Sequence, residues 1–166
     1  MFQVREIKPE DLKEVTEIYN YYVISSASTF DNEIQKNETL KHKFDTLINQ
    51  KMPILIAESN KKVIGYAYTS PYRQRWGYRF TVEDSIFIHK DFVRKGIGEI
   101  LLKELIKKVK ILGFNQIVAI IGDSSNVASI KLHRKLGFQI IGKMPKIGRK
   151  FNKWLDNVIM QKTLSE

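Results

Sequence analysis

Residues 93–98 read VRKGIG, and they join two runs of opposite character. Before them lies DSIFIH (84–89), an apolar, strand-like run. After them comes EILLKELIKKVKILG (99–113), where Ile97, Leu101, Leu105, Val109 and Leu112 follow helical spacing along one face. Gly113 is placed to end that helix. A strand, a glycine turn and an amphipathic helix in this order form the centre of the predicted fold. The junction also suits an anion. A helix N-terminus leaves backbone N–H groups unpaired, and its dipole favours negative charge. Gly96 and Gly98 let a phosphate approach the backbone where a Cβ would obstruct it. Arg94 and Lys95 add positive charge. The competing reading is a turn whose glycines serve the backbone alone. The loop is not a Walker loop, which needs G-x-x-x-x-G-K-[ST]. Nor is it a dinucleotide fingerprint, because the third glycine is missing.

The same periodicities extend outward. FQVREIK (2–8) alternates as a strand, and KPEDLKEVTEIYNYY (8–22) reads as a helix starting near Pro9. Leu12, Val15, Ile18, Tyr19 and Tyr22 share its inner face. ISSASTFDNE (24–33) is a polar loop with one large aromatic, Phe30. NETLKHKFDTLINQ (37–50) is a second helix, facing inward through Leu40, Phe44, Leu47 and Ile48. PILIAESNKKVIGYAYTSP (53–71) reads as two strands with a turn at 59–62. After the loop YRQRWGYR (72–79) comes a longer strand, FTVEDSIFIH (80–89). FNQIVAIIG (114–122) is apolar throughout, as for a strand covered on both faces. SSNVASIKLHRKLG (124–137) is a helix with a serine cap available and Gly137 at its end. FQIIGKMP (138–145) and WLDNVIMQKTL (154–164) complete the sheet. The expected class is α/β (α+β): one domain over residues 1–166, with a central, mixed, mostly antiparallel twisted sheet and helices on both faces.

Composition supports a packed chain, with 43% apolar residues and nine Phe, seven Tyr and two Trp. No run approaches the roughly 18 apolar residues of a membrane span. The first residues lack the apolar core of a secretory signal, so the expected location is cytoplasmic. The absence of cysteine excludes disulfides and thiolate chemistry. The formal charge is 28 − 18 = +10, which favours an anionic partner. The cations are dispersed rather than clustered, which argues against a nucleic-acid tail.

VRKGIGEILL resembles the acetyl-CoA loop of the GNAT superfamily of N-acetyltransferases, [QR]-x-x-G-x-[GA]. SNVASIKLHRKLGF resembles the second motif of that family, in which Asn precedes a helix ending in Gly-Phe. YRFTVEDSIFI and LHRKLGF are similar to the phosphinothricin and methionine sulfoximine acetyltransferase branch. At the first loop position the family pattern has Gln or Arg, and this chain has Val93. The resemblance implies a GNAT-like fold, acetyl-CoA as donor, no metal, and direct acetyl transfer to a primary amine. It implies that Ile86, Phe87 and Ile88 hold the pantetheine arm. Arg94, Lys95, Gly96, Ile97, Gly98 and Glu99 would hold the pyrophosphate. Asn126 and Ser129 would touch the cofactor from the later helix. It further implies a homodimer, with the KFNKWLDNVIM segment (150–160) as a contact.

Amide formation from a thioester needs a base for the ammonium and a proton for the departing thiolate. The resemblance puts Glu83 at the reaction centre as base; its neighbour Asp84 alternates to the opposite face of a regular strand. His133, two helical turns beyond Asn126, is the candidate acid or second base. Arg73 and Arg75 fall on one side of an extended segment and suit a carboxylate or phosphinate. With Phe30, Tyr78 and Thr81 they suggest a pocket for a small amino-acid-like substrate of the methionine sulfoximine or phosphinothricin type, acetylated for detoxification. Two alternatives stay open: another amine such as a polyamine, antibiotic or protein N-terminus, and a basic nucleic-acid-binding domain.

Overall fold

The computed structural model describes residues 2–164; the expected domain limits, 1 and 166, lie outside the described residues. The chain order is β1 (Gln3–Glu6), α1 (Leu12–Ser25), α2 (Asn37–Asn49), β2 (Ile54–Ser59), β3 (Lys62–Pro71) and β4 (Thr81–Ile88). Then follow α3 (Ile97–Ile111), β5 (Gln116–Gly122), α4 (Val127–Lys135), β6 (Gln139–Lys150) and β7 (Lys153–Thr163). The strands form one seven-stranded sheet in the order β1-β2-β3-β4-β5-β7-β6. Every neighbouring pair is antiparallel except β4 with β5.

Alternation along the strands builds two cores. Leu55, Ala57, Ile64, Ala67 and Val82 point to one face, where Ile97, Leu101, Leu105 and Val109 of α3 cover them. Ile54, Ile56, Val63, Tyr66, Tyr68 and Phe87 point to the other, under Val15 and Ile18 of α1 and Leu40, Phe44 and Leu47 of α2. Two apolar expectations fail at helix ends. Ile48 and Leu112 are 51% and 47% exposed, because each sits in or beyond the last turn, where the helix has left the sheet. α4 is capped by Asn126 rather than by a serine: its side chain accepts from Ser129 N.

Two tight hairpins carry the chain at positive φ. Asn60 and Lys61 (φ 49° and 61°) join β2 to β3, and Phe151 and Asn152 (φ 51° and 56°) join β6 to β7. Paired positive φ values match the right-handed strand twist in a two-residue hairpin. β4 and β5 pair only from Thr81↔Gln116 to Glu83↔Val118. Beyond that point β4 stays with β3 as far as Gly65↔Ile88, while β5 stays with β7 as far as Gly122↔Asn157. The sheet therefore opens into a wedge between its two parallel strands.

Candidate active site

The wedge is a cleft of about 800 Å³. Residues 84–88 of β4 form one wall and residues 119–122 of β5 the other. The glycine turn, α4 and the loop after α1 close its sides. Because β4 has lost its partner on this side, backbone groups of the Ile86–Ile88 stretch are open to a strand-like ligand. The Ile88 carbonyl accepts from the Tyr22 hydroxyl at 2.5 Å, which ties this wall to α1.

At one end lies the glycine turn. Gly96 caps α3 at φ +77°, a conformation that side chains with a Cβ rarely adopt, and nothing lies within 4 Å of where a Cβ would point. The first-turn N–H groups after it have no intrahelical acceptor. Open space above such a turn is a fit for a diphosphate. The two expected cations differ. Arg94 lines the cleft, whereas Lys95 is turned back, donating to Asp91 O at 2.8 Å with its ammonium over the Phe92 ring. Across the cleft, Lys131 and Lys135 of α4 also line it, and Lys135 pairs with Glu99 at 2.6 Å. Sequence reading missed both lysines; their i, i+4 spacing on one helix face was the available signal.

Glu83 is the last β4 residue paired with β5, so it stands where the wedge begins. Strand alternation holds without a bulge: Glu83 and Phe87 face α1 and α2, while Asp84 faces α4. Burial, then the charge of Asp84, raises the pKa of Glu83 against the opposing charges of Arg73 and Lys43. Lys43 was not foreseen; it reaches from α2 to donate to the Tyr68 hydroxyl at 2.6 Å, and Tyr68 lines the cleft.

His133 is 2% exposed in the opposite wall. Its Nδ1–H donates to Ser129 O at 2.8 Å, Nε2 meets Asp84 Oδ2 at 3.0 Å, and its ring packs edge-on against Phe138. Burial alone would lower its pKa, but the charge of Asp84 and hydrogen bonds to Asp84 and Ser129 together raise it. The imidazolium, with both nitrogens donating, is the form these partners favour. Its expected role as acid requires release of one of these bonds.

The other foreseen residues divide. Phe30, Asn126 and Ser129 line the cleft, although the Asn126 side chain is occupied in capping α4 and lies 3.5 Å from the Ser28 hydroxyl. Arg73 is near enough to act on Glu83. Arg73, Arg75, Tyr78 and Thr81 do not line the cleft. The loop bends at Tyr72, Gln74 and Arg75, and residues Trp76–Tyr78 then form a 3-10 turn, with Arg79 stacked on Trp76 at 4.4 Å and Phe80 at 4.3 Å. Trp76 is 77% exposed. Among the described residues no cluster of His, Asp and Glu is suited to a metal, and no helix is long and apolar enough to cross a membrane.

Residues 4–159, which include the parted parallel strands and the glycine-capped helix, match the acetyltransferase (GNAT) domain model. This chain belongs to the GNAT acetyltransferase family. Among the relatives of this GNAT chain is the phosphinothricin N-acetyltransferase of Alcaligenes faecalis, 36% identical over 162 residues, covering 98% of this chain and 82% of that one. Another is the L-methionine sulfoximine/L-methionine sulfone acetyltransferase of Pseudomonas aeruginosa, 38% identical, covering 97% and 94%. An acetyltransferase from Salmonella typhimurium, solved with its cofactor acetyl-CoA, superposes with a TM-score of 0.97 at 35% identity, covering 100% of this chain and 95% of that one.

Proposed function

We propose that this GNAT enzyme transfers an acetyl group from acetyl-CoA to the primary amine of a small amino acid of the methionine sulfoximine or phosphinothricin type. The observation that carries it is Glu83, half-buried at the vertex of the wedge with a raised pKa and two cations, Arg73 and Lys43, acting on it. When bound, the donor supplies an activated acetyl thioester. The turn from Gly96 to Glu99, with Arg94, holds the diphosphate, and the open edge at Ile86–Ile88 holds the pantetheine amides. Glu83, directly or through a water, removes a proton from the acceptor ammonium and frees its lone pair for attack on the acetyl carbon. The C–N bond forms as the C–S bond breaks, and the second proton lost by the nitrogen balances the one taken up by the departing thiolate. His133 meets Asp84 Oδ2 at 3.0 Å in the wall beside this event. Arg73 and Lys43 favour an acceptor with an anionic group, which speaks against polyamines.

The test is acetylation of an amine panel, followed by free-thiol release. Methionine sulfoximine and phosphinothricin are expected to be turned over and spermidine not; preference for the polyamine would overturn the substrate reading. The turn is tested separately. Gly96→Val places a β-branched residue at φ +77°, and acetyl-CoA affinity measured by calorimetry is expected to fall roughly 10²-fold. Unchanged affinity would move the diphosphate elsewhere.

We also propose a homodimer. β6 is an edge strand, and Ile140, Ile141, Ile147, Phe151 and Trp154 of the β6–β7 hairpin are exposed. A second copy would cover this apolar surface. Light scattering at the monomer mass across micromolar concentrations would exclude it.

A further inference from the structure

The end of β6 lies beneath the loop that leaves α1. Two of its residues meet that loop. The Phe30 ring sits so close to Gly148 that a Cβ there would come within 2.2 Å of it. Lys150 is 2% exposed, and its ammonium donates to Ser26 O and Thr29 O, each at 2.7 Å, with Tyr22 O at 3.5 Å. These carbonyls include the end of α1, where the helix dipole is negative. Among the described residues Lys150 has no ion pair; backbone oxygens hold it, with the face of the Phe151 ring 5.0 Å from its ammonium, and desolvation lowers its pKa despite the charge of Asp31. A buried ammonium without a counter-ion is costly. Its site should therefore need what the cation supplies.

Lys150 does not line the cleft, but the loop it grips does, through Ser28, Thr29 and Phe30. The loop is held from three further sides. The Tyr19 hydroxyl bonds Thr29 Oγ1 at 2.8 Å and Asp31 at 2.6 Å. Ser28 meets Asn126 of the α4 cap. Ala27 O lies where a Cβ on Gly122 of β5 would come within 2.3 Å. None of these holds the backbone carbonyls between the end of α1 and Phe30. Lys150 does.

We infer that Lys150 is a positioning residue: it clamps residues 26–30 over the cleft, where Phe30 is the expected acceptor contact, and thereby sets affinity for the incoming amine. The clamp is independent of the acetyl-transfer reading, whereas its effect on acceptor affinity rests on that reading. Hydrogen exchange and steady-state kinetics separate the two, with methionine sulfoximine as acceptor probe. In Lys150→Met the amides of residues 26–31 should exchange about tenfold faster or more, and the acceptor KM should rise about tenfold. The acetyl-CoA Kd should stay within about twofold, a split that general destabilisation would not produce. Lys150→Arg, which keeps charge and donors, should recover part of the loss. If Lys150→Met does not fold, Gly148→Ala reaches the same loop by pushing on Phe30 and must raise the acceptor KM. Unchanged exchange at 26–31 in folded Lys150→Met overturns the clamp, and an unchanged acceptor KM in that variant or in Gly148→Ala overturns its functional half. If the probe is not acetylated at all, the acetyl-transfer reading fails at that substrate, and the exchange measurement still decides the clamp.

Discussion

Glu83→Gln is expected to lower turnover by about 10²- to 10⁴-fold while leaving acetyl-CoA affinity near its original value. The amide keeps the size of the side chain and loses only its capacity to accept the ammonium proton. Glu83 begins the wedge but is not part of the glycine turn, so donor binding should not depend on its charge. The variant should also be no less stable at neutral pH. The sign follows from the raised pKa: the folded state holds this proton more tightly than the unfolded chain. The ionised carboxylate is therefore a burden on the fold, absent below the unfolded pKa and growing as pH rises through the folded one. In the unaltered enzyme kcat/KM should fall on the acid side with an apparent pKa above the ordinary glutamate value. Normal turnover in Glu83→Gln would remove this residue from the mechanism.

Asp84→Ala should give the largest loss of stability, about 3–5 kcal/mol in chemical denaturation, the usual cost of removing one member of a buried ion pair. It would leave the His133 imidazolium in a wall where it is 2% exposed, without the carboxylate that favours its charge. Asp84 also carries an unpaired Oδ1, so the pair is not fully satisfied even in the intact protein. Replacing both partners together should cost less than the sum of the single changes, because no lone charge then stays buried. The pH dependence has its own sign. The raised pKa of His133 gives a contribution that is complete below the ordinary histidine pKa of 6.5 and is lost as pH rises through the folded value. The unaltered protein should therefore lose more stability across that window than a His133→Gln variant does. Equal slopes would mean that His133 is already neutral.

Most of the architecture could be read locally. Periods of two and of about 3.6 are set by neighbouring residues, which is why β5, α1 and α3 were placed before any contact was known. The glycine turn was equally legible, because Gly96 acts through its own backbone, at positive φ. Misreadings gathered where a second element makes the choice. Ile48 and Leu112 continue an apolar pattern past the edge of the sheet that would cover them. Ser124 and Ser125 offered a cap, but Asn126 stands at the turn where α4 begins; the Ser124 hydroxyl instead bonds Asp156, whose pKa is lowered to about 2 by Lys143 and then by the Ser124 backbone. Arg75 was expected beside Arg73 on an extended segment; the chain instead bends at Tyr72, Gln74 and Arg75, ahead of the 3-10 turn at Trp76–Tyr78.

The chemistry was only half visible in the chain. Glu83, near the start of an alternating strand, is named through the family resemblance, and His133 stands two helical turns beyond Asn126. Their surroundings belong to other parts of the molecule. Asp84 meets His133 across 49 positions, and Lys150 grips Ser26 across 124. Lys43 and Arg73 act on one carboxylate from a helix and a loop on either side of two strands. Side-chain types and periodicity are properties of adjacent residues. Burial, charge pairing and the parting of β4 from β5 exist only once distant segments are packed together, because each depends on which surfaces exclude water from which.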